Sequence, residues 1–335
     1  MFVVTIIIAI VIAVSVQFSP AAFVRDAFAS VKPEMSGQVL GLVEINGRDE
    51  QLNAARAVDV APPPLAVSRS ATPIRKSVYQ APPEISANSA TVFDLASRKI
   101  LYEKNPDEIA PIASISKLMT ALVVLDQQTD FSAEYVMQTQ DRREGGRIFL
   151  FWGDRVTLND LFHASLVGSG NSETIAMIHA LGMSESDFVA KMNAKAAVLG
   201  LRKTTFVDPI GLNDHNTSTA YELIEIARAA LAQEKIRQTV LQNRYVFTTK
   251  QGKTRVIEST DALLGENPAY RLMGGKTGYI TSAGFCFVGK FRDANNEHDL
   301  ISVVLGSQSL ASRFSETDAL VRWAYENYTW EATNL

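Results

Sequence analysis

PIASISKLMTALVVLD, residues 111–126, sets Ser114 and Lys117 one helical turn apart at the mouth of an otherwise apolar helix. Ile115, Leu118, Met119, Leu122 and Val123 follow the i, i+3, i+4, i+7, i+8 template of a buried helical face. A lysine on such a helix costs free energy unless something needs it there. A serine hydroxyl is a weak nucleophile until a base removes its proton. At i and i+3 the two side chains share a face with Cβ atoms roughly 5–6 Å apart, so the amine reaches the hydroxyl. With an ordinary pKa near ~10.4 the amine would be protonated and no base at neutral pH. It must be desolvated or set beside another cation. The free backbone N–H groups at the helix start would meet an oxyanion formed on a carbonyl that Ser114 attacks. Taken alone, the pair reads more readily as a capping serine and a surface lysine.

Outward from this helix the pattern is mixed. SATVFDLASRKILYEKN (89–105) reads as a hairpin around a polar ASRK turn. After the quoted helix, VTLNDLFHASLVGSGN (156–171) reads as a short helix capped by Thr157. Helical runs follow from Glu173 to Leu181, Glu185 to Leu199 and over 218–233, the first two closed by Gly182 and Gly200. AYRLMGGKTGYI, SAGFCFVGKF and DLISVVLGS are successive strand-like runs, and ASRFSETDALVRWAYENY (311–328) is an amphipathic helix. The order predicts an α+β fold: an antiparallel sheet uniting N- and C-terminal strands, flanked by helices, with the helical block as a second lobe.

Two further elements follow Ser114 in order: VGSGNSE, with Ser169 and Asn171, and GGKTGY, with Lys276, Thr277 and Gly278. A second Ser-x-Asn at Ser86-Ala87-Asn88 precedes the serine and is set aside. Ser-x-x-Lys, Ser-x-Asn and Lys-Thr-Gly in this order resemble the penicillin-binding proteins and serine β-lactamases. From about Ala90 onward the chain resembles the low-molecular-mass penicillin-binding proteins, the serine D-alanyl-D-alanine peptidases with the β-lactamase/DD-peptidase-like fold. FWGDRVTLNDLFHASLVGSGN, TTFVDPIGLNDHNTSTAYEL and GGKTGYITSAGF carry the likeness further.

The resemblance implies a D-Ala-D-Ala carboxypeptidase acting on peptidoglycan stem peptides through an acyl-enzyme on Ser114, with β-lactams as covalent inhibitors. Lys117 would be the general base, its pKa depressed by Lys276. Ser169 would relay a proton to the leaving amine, and Asn171 would hold the substrate amide. Lys276 and Thr277 would bind the terminal carboxylate, Gly278 would admit the substrate to the edge strand, and the N–H groups of Ser114 and Tyr279 would form the oxyanion hole. Three alternatives stand beside this: an endopeptidase cutting cross-links, a class A-like β-lactamase and a non-catalytic peptidoglycan-binding homologue. The β-lactamase reading lacks a counterpart for the glutamate that activates the deacylating water. The endopeptidase reading gains from the absence of a β-rich domain after the last helix, whereas the SGN form of the second motif is common in carboxypeptidases.

Composition agrees with a globular enzyme. Of 335 residues, 47% are apolar and 20% charged, and the net charge of −4 gives no basic face for nucleic acid. His163, His179, His215 and His298 show no metal-ligand spacing, so neither metal nor other cofactor is expected. Cys286, the only cysteine, alternates with core residues and reads as a small buried side chain. Residues 1–18 contain no charged side chain, which predicts a signal peptide or membrane anchor within 1–29 and an extracytoplasmic location. The Pro-rich 30–86 would be a flexible linker, and 87–330 the catalytic domain.

Overall fold

The computed structural model describes residues 72–295 and 297–331, so the expected leader and most of the linker lie outside the described residues. The hairpin β1 (Ser89–Asp94) and β2 (Ile100–Lys104) shares a five-stranded antiparallel sheet with β3 (Tyr270–Ile280), β4 (Gly284–Asp293) and β5 (Asp299–Ser307). Their order is β3-β4-β5-β1-β2, with the two chain ends joined where Leu300 to Leu305 pair with Asp94 to Ser89. Among the described residues seven α-helices follow the sequence order: α1 (Ser116–Asp126), α2 (Leu158–Leu166), α3 (Asn171–Ala180), α4 (Glu185–Val198), α5 (Ala220–Ala232), α6 (Glu234–Val240) and α7 (Leu310–Asn327).

The alternation along β4 and β5 explains their near-continuous apolar runs. Successive side chains point to opposite faces, and both faces are covered. Cys286, Val288, Ile301, Val303 and Leu305 join Ile115, Leu118 and Leu122 in the core under the helical lobe. Leu300 and Val304 pack with Ala90, Val92 and the α7 residues Leu320 and Trp323 on the other face. Each such side chain contributes about 1.5–3 kcal/mol when fully buried. Burial also pushes the Cys286 thiol up to about 11, which keeps it an inert core residue at neutral pH.

The helix starts follow local chemistry. The Thr157 hydroxyl accepts the Asp160 N–H at 3.1 Å and the Asp160 carboxylate accepts the Thr157 N–H at 2.9 Å, a reciprocal cap that fixes the entry to α2. Ser114 lies in a single 3₁₀ turn, Ala113–Ile115, just before α1.

The domain begins earlier than the expected boundary at residue 87, a correction to the linker as read from sequence. Thr72–Arg75 pairs antiparallel with Tyr328–Glu331. The Trp323 indole N–H donates to Gln80 O at 2.9 Å, and the Ser86 hydroxyl donates to Glu316 at 2.6 Å. Proline is barred from central strands and helix interiors, not from extended segments laid on a surface. Helix α6 and the hairpin Arg244–Thr248 with Thr254–Glu258 are also additions to the expected elements.

Candidate active site

A cleft of about 770 Å³ opens between the sheet edge and the helical lobe, and Ser114, Ser169, Asn171, Thr277, Gly278 and Tyr279 line it. Lys117 and Lys276 lie beneath this lining, 0% and 1% exposed. The seven residues of the three motifs and Tyr279 are therefore brought together. Strand β3 is the sheet's edge, so its open side faces the cleft with nothing paired to it in this sheet.

The Lys117 amine lies 3.0 Å from Ser114 Oγ, 2.8 Å from Asn171 Oδ1 and 2.7 Å from the Ile210 carbonyl oxygen. Two of these three partners can only accept hydrogen bonds. A neutral amine has two N–H donors for the two carbonyls and keeps its lone pair for the serine O–H. Electrostatics favour that state. Burial holds the Lys117 pKa down to about 7, against smaller upward pulls from Asp208 and Glu173. Desolvation is the dominant cause at Lys117. Like-charge repulsion between the two amines is mutual, and Lys276 is held well below its ordinary value first by burial, then by Lys117 and Arg313.

Lys276 donates to Ser169 Oγ at 2.9 Å and to Thr277 O at 3.1 Å. Ser169 adopts φ +59° and Ala113, the neighbour of Ser114, φ +48°. Such left-handed backbone in non-glycine residues costs about 1–3 kcal/mol and is held by its surroundings. Both Asn171 Nδ2 hydrogens are engaged, by Glu144 O at 3.1 Å and Gly145 O at 3.0 Å. What Asn171 still offers a substrate is the second lone pair of Oδ1, suited to an amide N–H.

Several contributors were not visible in the motifs. The loop Asp208–Asn216 delivers the Ile210 carbonyl to Lys117. Asn216 Oδ1 accepts the N–H groups of Val207 and Asp208 at 2.8 and 3.0 Å, while its Nδ2 donates to Ser116 Oγ at 3.1 Å. Arg313, 5% exposed, reaches from α7 to donate to Gly278 O at 3.1 Å. Thr260 shares a 2.7 Å hydroxyl contact with Thr277. Glu173 accepts the N–H groups of Phe149 and Leu150, both at 3.0 Å, and so anchors the segment beyond Gly145. Of these, the Asp208–Asn216 loop lies in a stretch that carries the resemblance, TTFVDPIGLNDHNTSTAYEL.

Two glycines make the approach of loop and strand to Ser114 feasible. A Cβ at Gly278 would lie 2.8 Å from Ile112 O and 3.3 Å from the Ser114 nitrogen. At Gly211, where φ is +77°, a Cβ would lie 1.9 Å from Ala113 O. Gly211→Ala should therefore destabilise the domain by about 2–4 kcal/mol, combining overpacking with left-handed backbone. Thermal melting measures it; an unchanged midpoint contradicts this packing.

The histidines do other work. His179 bonds Asp141 at 2.6 Å, and His163 and His298 stack on Tyr245 and Trp330. Among the described residues no group of three or more His, Cys, Asp or Glu could hold a metal ion. None of their helices is long and apolar enough to cross a membrane.

Comparison with known proteins bears on this geometry. The family model described as D-alanyl-D-alanine carboxypeptidase matches residues 76–309. The chain belongs to this family of serine D-Ala-D-Ala peptidases. The peptidase is 30% identical over 275 residues to the D-alanyl-D-alanine endopeptidase of Pseudomonas aeruginosa, covering 81% of this chain and 84% of that protein. It is 29% identical over 248 residues to the D-alanyl-D-alanine carboxypeptidase DacF of Bacillus subtilis, covering 72% of this chain and 63% of DacF. Its fold matches the Streptomyces K15 DD-transpeptidase with a TM-score of 0.68 at 27% identity, over 74% of this chain and 100% of that one. It also matches penicillin-binding protein D2 from Listeria monocytogenes in its cefotaxime-bound form, TM-score 0.63 at 29% identity, over 73% and 100%. The α+β DD-peptidase fold expected from the sequence is thus the fold of the family.

Proposed function

We propose that this peptidase is an extracytoplasmic D-Ala-D-Ala carboxypeptidase that trims peptidoglycan stem peptides through an acyl-enzyme on Ser114. The observation that carries the reading is the Lys117 amine, buried and bonded to two carbonyl acceptors, 3.0 Å from the Ser114 hydroxyl. Ser114 Oγ attacks the penultimate D-alanine carbonyl as its proton passes to Lys117. The N–H groups of Ser114 and Tyr279 receive the oxyanion, a contribution worth about 10²–10³ in rate per donor. Collapse breaks the C–N bond, and Ser169, backed by Lys276, passes a proton to the departing D-alanine amine. Water then releases the acyl group. Thr277 and Lys276, with Arg313 behind them, hold the substrate carboxylate, while Asn171 Oδ1 accepts its amide N–H. β-Lactams, which carry both an acyl centre and a carboxylate, enter the same path; cefotaxime and ampicillin are seen on the Listeria protein.

A second reading, endopeptidase scission of cross-links, has its own support. The endopeptidases of P. aeruginosa and Escherichia coli align over 84% of their length, against 63% for DacF. The chemistry is the same, with the leaving amine on a second stem peptide. Defined monomeric and cross-linked muropeptides separate the two: free D-alanine from monomers supports the carboxypeptidase, and cross-link scission without it supports the endopeptidase. Release of neither product, or rapid turnover of penicillin instead, would overturn the proposal.

A further inference from the structure

Three consecutive residues at the start of α3 hold one loop, Arg143–Leu150, along the cleft. Ser172 Oγ accepts the Arg143 N–H at 3.0 Å, and Asn171 Nδ2 donates to Glu144 O and Gly145 O at 3.1 and 3.0 Å. Glu173 accepts the N–H groups of Phe149 and Leu150, both at 3.0 Å. The backbone on both sides of residues 146–148 is thereby fixed to the helix that carries Asn171. Gly145 and Gly146 turn the chain with φ +76° and +73°. A Cβ at Gly145 would lie 3.3 Å from Leu212, so this loop abuts the one that serves Lys117.

The side chain presented by this clamped turn is Arg147. It is exposed and lines the cleft. Among the described residues it has no ion pair and no side-chain hydrogen bond, whereas its neighbour Arg143 is paired with Glu185. The other charged side chains lining the cleft, Asp261 and Arg313, are buried, and Arg313 is engaged with Gly278 O. Around Arg147 the lining is Gly145, Gly146, Asn171 and Leu212. An anion arriving there meets one guanidinium and no carboxylate in the same wall.

Asn171 decides which part of a substrate reaches that wall. Its Nδ2 holds the loop, while the second lone pair of Oδ1 is offered to the substrate amide on the acyl side of the scissile bond. The substrate's carboxylate end lies instead at Thr277 and Arg313. We propose that Arg147 is a specificity-determining residue: it selects substrates, monomeric or cross-linked, in which the residue preceding the acylating D-alanine carries a side-chain carboxylate. The inference rests on the acyl-enzyme reading given above. A guanidinium offers a carboxylate two parallel N–H···O bonds, which an ammonium does not. Because the pair is open to solvent, the preference is moderate and salt weakens it.

The test compares three penicillins on the full chain, alike except at the far end of the acylamino side chain: adipoyl with a carboxylate, adipamoyl with an amide, and aminohexanoyl with an amine. Their rates of Ser114 acylation are read by competition with a fluorescent penicillin. Acylation precedes any difference between carboxypeptidase and endopeptidase, so the comparison serves both. In the parent the acid should react about 5–20-fold faster than the amide, and the amine more slowly still. Added salt should shrink the ratio. Arg147→Gln should bring acid and amide within about twofold, Arg147→Lys should keep part of the preference, and Arg147→Glu should place the amine ahead of the acid. General damage to the fold slows all three penicillins together and leaves their ratios in place. An acid no faster than the amide in the parent, or a ratio unchanged in Arg147→Gln, overturns the role of Arg147. Failure of all three to acylate Ser114 overturns instead the reading beneath it.

Discussion

Ser114→Ala is expected to abolish covalent labelling by a fluorescent penicillin and to lower kcat/KM on a stem peptide on the order of 10⁴-fold or more. The fold should survive. Beyond the Lys117 contact, Ser114 Oγ has only a long 3.4 Å contact with Ile210 O, so alanine leaves no large cavity and no orphaned backbone group. Thermal melting within a few degrees of the parent, with no labelling, is the expected pair of results. Unimpaired acylation would remove Ser114 from the reaction and the proposed mechanism with it.

Lys117→Ala is expected to slow acylation by about 10²–10⁴-fold, the usual contribution of a positioned general base. Lys117→Arg should not rescue it, because a guanidinium does not give up its proton at these pH values. The sign of the pH dependence follows from the state that works. Only the neutral amine accepts the serine proton, and burial sets its titration at about 7. The parent's acylation rate should therefore climb as pH rises through 7, reach half its plateau there and flatten above. In Lys117→Ala that rise should vanish. A parent rate that instead kept climbing toward pH 10 would mean that the lysine retains an ordinary pKa.

Much of this site was legible in the residues. Ser114 and Lys117 announce each other by spacing on an apolar helix, and Lys276 belongs to the strand-like run AYRLMGGKTGYI. The β5–β1 seam followed from the order of elements. Long-range partners were hidden, because no local pattern encodes them. The Ile210 carbonyl that restrains Lys117 is backbone, delivered by a turn whose side chains bond mainly to their own loop. Arg313 acts on a carbonyl 35 residues away. The stretch Thr72–Ser86 looked solvated because its prolines suppress regular structure, yet its partners on α7 lie more than 200 residues along the chain. Of the two conditions read for a lowered Lys117 pKa, desolvation and a second cation, burial is the larger cause.

The most direct test is a measurement on Lys117 itself. With isotopically labelled lysine, and Lys117→Arg to assign the signal, NMR should follow its ε-methylene and amine across the pH range in the unliganded protein. The account predicts a midpoint close to 7. A midpoint close to 10, with the hydroxyl still acylated at neutral pH, would contradict the claim that a buried, uncharged amine makes Ser114 reactive.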